Sequence, residues 1–308
     1  MGKFDKSQYK VKRLFHDEHF INGFNVQHLK KDENGKVLFT PWQFPESDGK
    51  PEWLILDFHS LYCLAVDRKD VGDPYVLTDI KDSKYVKYNP EDHSLVMKID
   101  GSKIYDGGTE VPKYWPHLLI AQNRICDYKN MPEGDEKRFY SANSDKIMVE
   151  FDMRIPEFIP SKVKEGDQRC QFVAYAYLQH VEKNFIYFGY RPMITGGGTQ
   201  YHFFNKETGG NNFIYSLGTE TMYGSFENSF VDENGNVKVT NEWKHVEIDL
   251  TPHIDNIIEK ANKELIFGEP VKREDFYFSG TNMGFEIHNN MSCTVEVKNY
   301  NLVSYIKK

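Results

Sequence analysis

Residues 184–191 read NFIYFGYR, four aromatic rings in eight positions closed by an arginine. A β-strand sends alternate side chains to opposite faces, so Ile186, Phe188 and Tyr190 share one face and Phe185, Tyr187, Gly189 and Arg191 the other. The first set suits a core. The second carries two rings and a cation, groups that are costly to bury alone but well suited to hold something flat and polar.

The same alternation extends on both sides. QFVAYAYLQH (171–180) places Phe172, Ala174, Ala176 and Leu178 inward, with Val173, Tyr175, Tyr177 and Gln179 opposite. The polar break from His180 to Lys183 has the length of a hairpin turn, and paired strands would bring their tyrosine-rich faces together. KIMVEFDMRI (146–155) alternates as well, with Ile147, Val149, Phe151, Met153 and Ile155 inward and Met148, Glu150, Asp152 and Arg154 outward.

Further on, YHFF, NFIYSLG and NVKVT read as short strands, and KHVEIDL, FYFSGTNMGFEIH and CTVEVKNYNLVSY as longer ones. TGGG, ETGG and DENG separate them as turns. One helix is expected, at DNIIEKANKELIF: Ile254, Ile257, Ile258, Ala261, Leu265 and Ile266 recur at helical spacing behind Thr251 and Pro252. The first 145 residues are less regular. WLILDFHSLYCLAV and HSLVMKI are strand-like, WPHLLIAQNRI is apolar but short, and segments 66–93 and 127–146 read as loops.

This pattern points to an all-β fold: a two-sheet antiparallel β-sandwich with one helix near residues 253–267 and long N-terminal loops. With no repeat and no low-complexity linker, residues 1–308 are expected to form a single domain with a decorated N-terminal half. Aromatic residues make up 15% of the chain against 39% for all hydrophobics, so rings are expected to carry much of the burial, as suits strands.

A net charge of −8 disfavours the phosphate backbone, so no nucleic acid is expected as partner. No apolar run approaches a membrane span, and no membrane partner is expected. MGKFDKSQYKVKRLF lacks the apolar stretch of a secretory signal, so the chain as given is expected to be cytoplasmic, or extracellular if a signal has been trimmed. Cys63, Cys126, Cys170 and Cys293 lack CxxC spacing, which points to free thiols and away from zinc. No cofactor is expected beyond a structural calcium at a sandwich edge, for which no loop spells out a site. GxSxG, HExxH, P-loop and Rossmann glycine patterns are absent.

The succession FVAYAYLQ, NFIYFGYR, WKHVEIDLTP, MGFEIHNN and TVEVKNYNLVSY resembles the concanavalin A-like jelly-roll sandwiches of carbohydrate-binding modules, glycoside hydrolases and polysaccharide lyases, over roughly the last half of the chain. That resemblance implies a groove across a concave sheet that accepts an extended oligo- or polysaccharide. The residues support such a ligand independently, because a pyranose stacks an apolar face on a ring while its hydroxyls need planar donors and acceptors. Tyr175, Tyr177, Gln179, Tyr187 and Arg191 supply both. The alternative is that they lie beneath the N-terminal half, with their hydroxyls bonded internally.

Cleavage by hydrolysis needs two carboxylates about 5–9.5 Å apart. Glu150 and Asp152, about 6–7 Å apart along one strand face, are candidates together with Glu286, and Glu247 with Asp249 forms a similar pair. Solvated or ion-paired acids are the ordinary alternative. A lyase needs a cation or amide to neutralise a uronate, and a Tyr or His to move the proton. Arg191, Gln179, His180 and Tyr187 are of the right types, but the arginine-rich strand and Gln-x-His motif of the lyases of this fold are missing, and in LQH Gln179 and His180 point to opposite faces. In the N-terminal half, Asp57 with His59, and Trp115, His117 and Gln122, offer a further acid–base grouping. A third reading is a structural protein whose aromatic face is an interface.

Overall fold

The computed structural model describes residues 5–104, 115–161, 169–195, 203–206, 212–218, 229–232, 234–288 and 290–308. In chain order the strands are β1 (Tyr9–Arg13), β2 (Phe24–Lys31), β3 (Val37–Trp42), β4 (Trp53–Leu56), β5 (Val76–Thr78), β6 (Lys84–Asn89), β7 (Ser94–Asp100) and β8 (His117–Gln122). They continue as β9 (Lys146–Ile159), β10 (Cys170–His180), β11 (Phe185–Ile194), β12 (Phe203–Lys206), β13 (Phe213–Leu217), β14 (Thr240–Asp249), β15 (Phe276–Ile287) and β16 (Ser292–Lys307). The described helices are α1 (Gly101–Ile104), α2 (Asp135–Tyr140) and α3 (Ile254–Lys263).

The strands form two mostly antiparallel sheets packed as a jelly-roll β-sandwich. One sheet has seven strands, ordered β14-β9-β16-β7-β6-β5 with β1 on β16; the other has nine, ordered β12-β13-β11-β10-β15-β8-β4-β2-β3. The inner faces share one apolar core, and the alternation read from the sequence chooses them. Ile147, Val149, Phe151, Met153 and Ile155 enter from β9, Phe172, Ala174, Ala176 and Leu178 from β10, and Ile186, Phe188 and Tyr190 from β11. Each such large side chain, fully buried, contributes about 1.5–3 kcal/mol.

The N-terminal half is not a decoration laid over a finished sandwich. β8, β4, β2 and β3 continue the nine-stranded sheet outward from β15, while β7, β6 and β5 continue the other from β16. Two strands therefore occupy the segment 66–93 that reads as loop. KYVKYN alternates over β6, but its inward set begins with a lysine, Lys84, which masks the apolar period. Segment 127–146 similarly holds α2 and a turn of 3₁₀-helix at Tyr128–Asn130.

Helix α3 forms where expected and buries Ile254, Ile257, Ile258 and Ala261. It starts from a 3₁₀ turn at Thr251–His253 with Pro252 in the first turn, where the missing N–H is harmless. It ends four residues early, at Lys263: Leu265 adopts φ +48° and is 56% exposed, so it leaves the buried stripe while Ile266 and Phe267 turn back onto the core. NVKVT is another departure, since Val237 makes only an isolated bridge to Val231 and the strand begins at Thr240. Tyr201, His202 and the glycines of TGGG and ETGG lie outside the described residues. All four cysteines are free, Cys63, Cys170 and Cys293 buried and Cys126 partly so. Among the described residues no helix is long and apolar enough to cross a membrane.

One buried ion pair ties the two sheets at the end of β4. Asp57 follows β4 in the nine-stranded sheet and Lys84 opens β6 in the other, and both side chains are fully inaccessible with Nζ to Oδ2 at 2.8 Å. Lys84 also donates to the Tyr62 carbonyl, and the Leu64 amide donates to Asp57. Burial raises the Asp57 pKa and the Lys84 charge opposes that rise. Removing one partner strands the other charge in the core. Asp57→Asn or Lys84→Met is therefore expected to lower unfolding free energy by about 3–5 kcal/mol in urea titrations, and the double variant Asp57→Leu/Lys84→Met to recover most of it.

Candidate functional site

The outer face of the nine-stranded sheet is where the sequence-predicted rings gather. β10 and β11 form the expected hairpin, with Tyr177 opposite Tyr187 and Tyr175 opposite Gly189, so the two tyrosine-rich faces coincide. β8 and β4 extend the face with Leu119, Ala121, Leu54 and Leu56, which pack with Val173 and Tyr175. The N-terminal half thus widens this surface edge to edge.

The rings do not form the open floor that the sequence suggests. Tyr175 is 4% exposed, Tyr177 6% and Arg191 5%. Neighbouring strands place these rings close enough to cover each other: Tyr177 stacks on Phe185 at 4.7 Å, and Tyr187 meets Tyr177 edge-on at 5.4 Å. The part of this face that solvent reaches is carried by Phe185, Tyr187, Gln171, Glu286, His117 and Phe58, all partly exposed, and by exposed His59.

Two polar groupings cross this face. In the first, the β10–β15–β8 register sets Glu286 between Gln171 and His117, and Gln171 Nε2 donates to Glu286 Oε2 at 2.6 Å. His59, in a left-handed conformation at φ +59°, brings its ring to 5.4 Å from that of His117. Burial lowers the His117 pKa, Glu286 opposes the shift and His59 adds to it. Burial also lowers that of His59, again against Glu286.

In the second grouping, a register shift opposite Phe172 and Ala174 leaves Arg191 and Pro192 in a bulge of β11. Arg191 Nε donates to Ser216 Oγ at 2.9 Å, and the Tyr175 hydroxyl reaches the same oxygen at 3.2 Å. Burial pushes the Tyr175 pKa up to about 12, with Arg191 pulling the other way. The phenol is a proton donor, never a phenolate, at neutral pH.

Of the candidate carboxylates, Glu150 and Glu247 stand opposite each other on β9 and β14, but Glu286 is not brought to them. Glu150 and Asp152 lie on the outer face of the seven-stranded sheet, on the opposite side of the molecule from Glu286. Both are engaged there: Glu150 accepts from Tyr305 and faces Lys6, while Asp152 pairs with His245 at 2.8 Å and accepts from Asn299 at 2.6 Å. Glu247 pairs with Lys6 and Asp249 with Lys146. A hydrolytic pair of Glu150 or Asp152 with Glu286 is excluded by this geometry.

Gln179 and His180 serve the hairpin turn. Gln179 Nε2 donates to the His180 and Lys183 carbonyls, and buried His180 stacks on Phe267 at 5.3 Å while its Nδ1 accepts from the Glu182 amide. Asp57 is taken by Lys84, so no Asp57–His59 pair forms. Trp115 stacks on His288 and carries Arg169 over its ring, and Gln122 exchanges hydrogen bonds with the His16 backbone. Gln171, Ser216 and Asn282 were not singled out by sequence. Gln171 shares the parity of Tyr175 and Tyr177, and that signal was there to be read.

The strand order and shared core define a jelly-roll sandwich whose nine-stranded sheet carries a ring cluster and a Glu–Gln–His cluster on its outer face. No family model matches the chain, and no curated protein matches its sequence. Solved structures similar in fold include the xyloglucanase domain of NopAA, a type three effector from Sinorhizobium fredii in complex with cellobiose, at 10% identity, 72% of this chain, 86% of that one and TM-score 0.38. Endoglucanase cel12A from Rhodothermus marinus is similar at 11% identity, 82% of this chain, 99% of that one and TM-score 0.38. Alginate lyase A1-II', of polysaccharide lyase family 7, is similar at 10% identity, 72% and 84% coverage and TM-score 0.34. Among the described residues no group of three or more His, Cys, Asp or Glu is placed to hold a metal ion.

The His117 ring should titrate below the ordinary histidine value near 6.5 in an NMR pH series. Glu286→Gln is expected to lower its midpoint further and His59→Ala to raise it. Because the folded value lies below the unfolded one, the unfolded chain binds the extra proton first as pH falls. The His117 contribution to stability is complete above about pH 6.5 and declines as pH drops through it, which urea midpoints at pH 7.5 and 5.5, both on the order of one unit from that value, will resolve.

Proposed function

We propose that this protein binds an extended glycan along the outer face of its nine-stranded sheet. The observation that carries this reading is the junction, on one face, of a ring cluster with the Gln171–Glu286–His117 cluster. Phe185 and Tyr187 offer partly exposed ring surface for the apolar face of a pyranose, and the polar cluster offers amide, carboxylate and imidazole partners for its hydroxyls. A cavity of about 210 Å³ lies at the hairpin end, where Phe185 meets Lys183, Asn184 and the core-side Phe213, Ile266 and Phe267.

Cleavage is a second reading, favoured by one observation. Glu286 is the single carboxylate within all nine strands of this sheet, so the two-carboxylate chemistry of glycoside hydrolysis finds no strand-borne pair here. His117, opposite Glu286 and with its pKa lowered by burial, is better matched to act as the base in proton abstraction from a uronate.

Native affinity gels cast with hydroxyethyl cellulose, xyloglucan, alginate or polygalacturonate test the reading. The wild-type chain is expected to be retarded by at least one of them, and Tyr187→Ala and Glu286→Gln to weaken that binding about tenfold or more, with circular dichroism unchanged. Absence of retardation on every gel would sink glycan binding. Ultraviolet-absorbing unsaturated products from the uronate polymers, lost in His117→Ala, would establish elimination.

A further inference from the structure

On β15 the outer face reads Gly280, Asn282, Gly284 and Glu286. Asn282 therefore stands between two glycines on its own strand, with Tyr175 opposite it on β10 and Ala121 opposite it on β8. Gly284 lies at φ +146°, where a Cβ would come within 2.2 Å of the Leu118 carbonyl oxygen, so β15 itself carries no side chain at the next outward position. On the other side the Tyr177 ring lies across Gly280. Asn282 is thus the one side chain longer than glycine between Gly280 and Gly284 on the outer face of β15.

Asn282 is 7% exposed, and its Oδ1 is buried without a hydrogen-bond partner. The polar side chains next to it are satisfied. Thr281 donates to the Tyr175 carbonyl, and Glu286 accepts from Gln171. A buried acceptor without a donor destabilises the fold. The adjoining outer-face side chains Leu119, Val173 and Ala121 are apolar, so a leucine of similar shape would extend their cluster and remove that penalty.

We infer that Asn282 is a ligand-contacting, specificity-determining residue, whose amide oxygen accepts a hydrogen bond from a hydroxyl of the bound glycan. This rests on the glycan reading of the same face and names the group that reads the sugar. A carbonyl oxygen selects a donor, so the recognised position carries a free hydroxyl and not a carboxylate or an ether. Deep sites built around a polar group reject ligands lacking its partner, because the group is then left unpaired.

Asn282→Leu, with Asn282→Ala as the smaller replacement in case leucine does not fit, tests this in the full chain by two measurements. The first is the ligand-free Tm: Asn282→Leu is expected to raise it by about 2 °C or more. The second is retardation on whichever of the four polysaccharide gels retains the wild type, expected to weaken about tenfold or more in both variants. Retardation at wild-type strength in a folded variant overturns the inference and leaves glycan binding standing. A fall in Tm in both variants overturns it too, because Asn282 is then a stabilising structural residue. Absence of wild-type retardation on all four gels removes glycan binding itself, and with it the ligand assigned to Asn282.

Discussion

The antiparallel seam between β8 and β15 is the constraint on which the rest of this molecule depends. It joins strands from the two halves of the chain, and its register sets Ile120 against Met283 on the core side and His117 against Glu286 on the outer side. A slip of one residue would exchange the faces, turning Leu118 and Ile120 out to solvent and His117 into the core. Core burial thus enforces the geometry of the outer cluster. The same logic runs along β10, where burying Phe172 and Ala174 obliges Gln171, Val173 and Tyr175 to face the other way.

The two outer faces differ because their side chains differ. That of the seven-stranded sheet is laced with ion pairs: Arg154 with Glu296, Lys98 with Glu157, Asp152 with His245. Its Trp243 is held between Arg154 and Lys298 at 4.5 and 4.4 Å. Opposite charges that close on each other leave little field for a ligand. On the nine-stranded sheet a single carboxylate sits among amides, imidazoles and phenols, and the neighbouring apolar side chains limit access of water. There, hydrogen bonds are stronger and unpartnered atoms more costly, which is why one amide oxygen on β15 carries weight.

Aromatic density also has a consequence that periodicity does not convey. Tyr175 and Tyr177 face outward as alternation requires, yet they are nearly inaccessible because Phe185 and Tyr187 lie against them. Parity fixes the face of a side chain; its exposure depends on the size of the side chains on the adjoining strands. Large rings at cross-strand positions pack on one another before they meet solvent.

The sequence by itself determined the all-β class, the inward sets of β9, β10 and β11, the hairpin at His180–Lys183 and helix α3, because period two and period 3.6 are local properties of a chain. It also placed Tyr175, Tyr187, Arg191 and Glu286 on solvent-side parity. Only the tertiary structure decided that Glu150 and Asp152 face away from Glu286, that Asp57 belongs to Lys84 and not to His59, and that Gln171 and His117 flank Glu286. Those relations join residues from 27 positions apart, for Asp57 and Lys84, to 169, for His117 and Glu286, within the nine-stranded sheet or across the core between the sheets. Strand order and register set them, and no periodicity within a single segment records which strand will lie beside it.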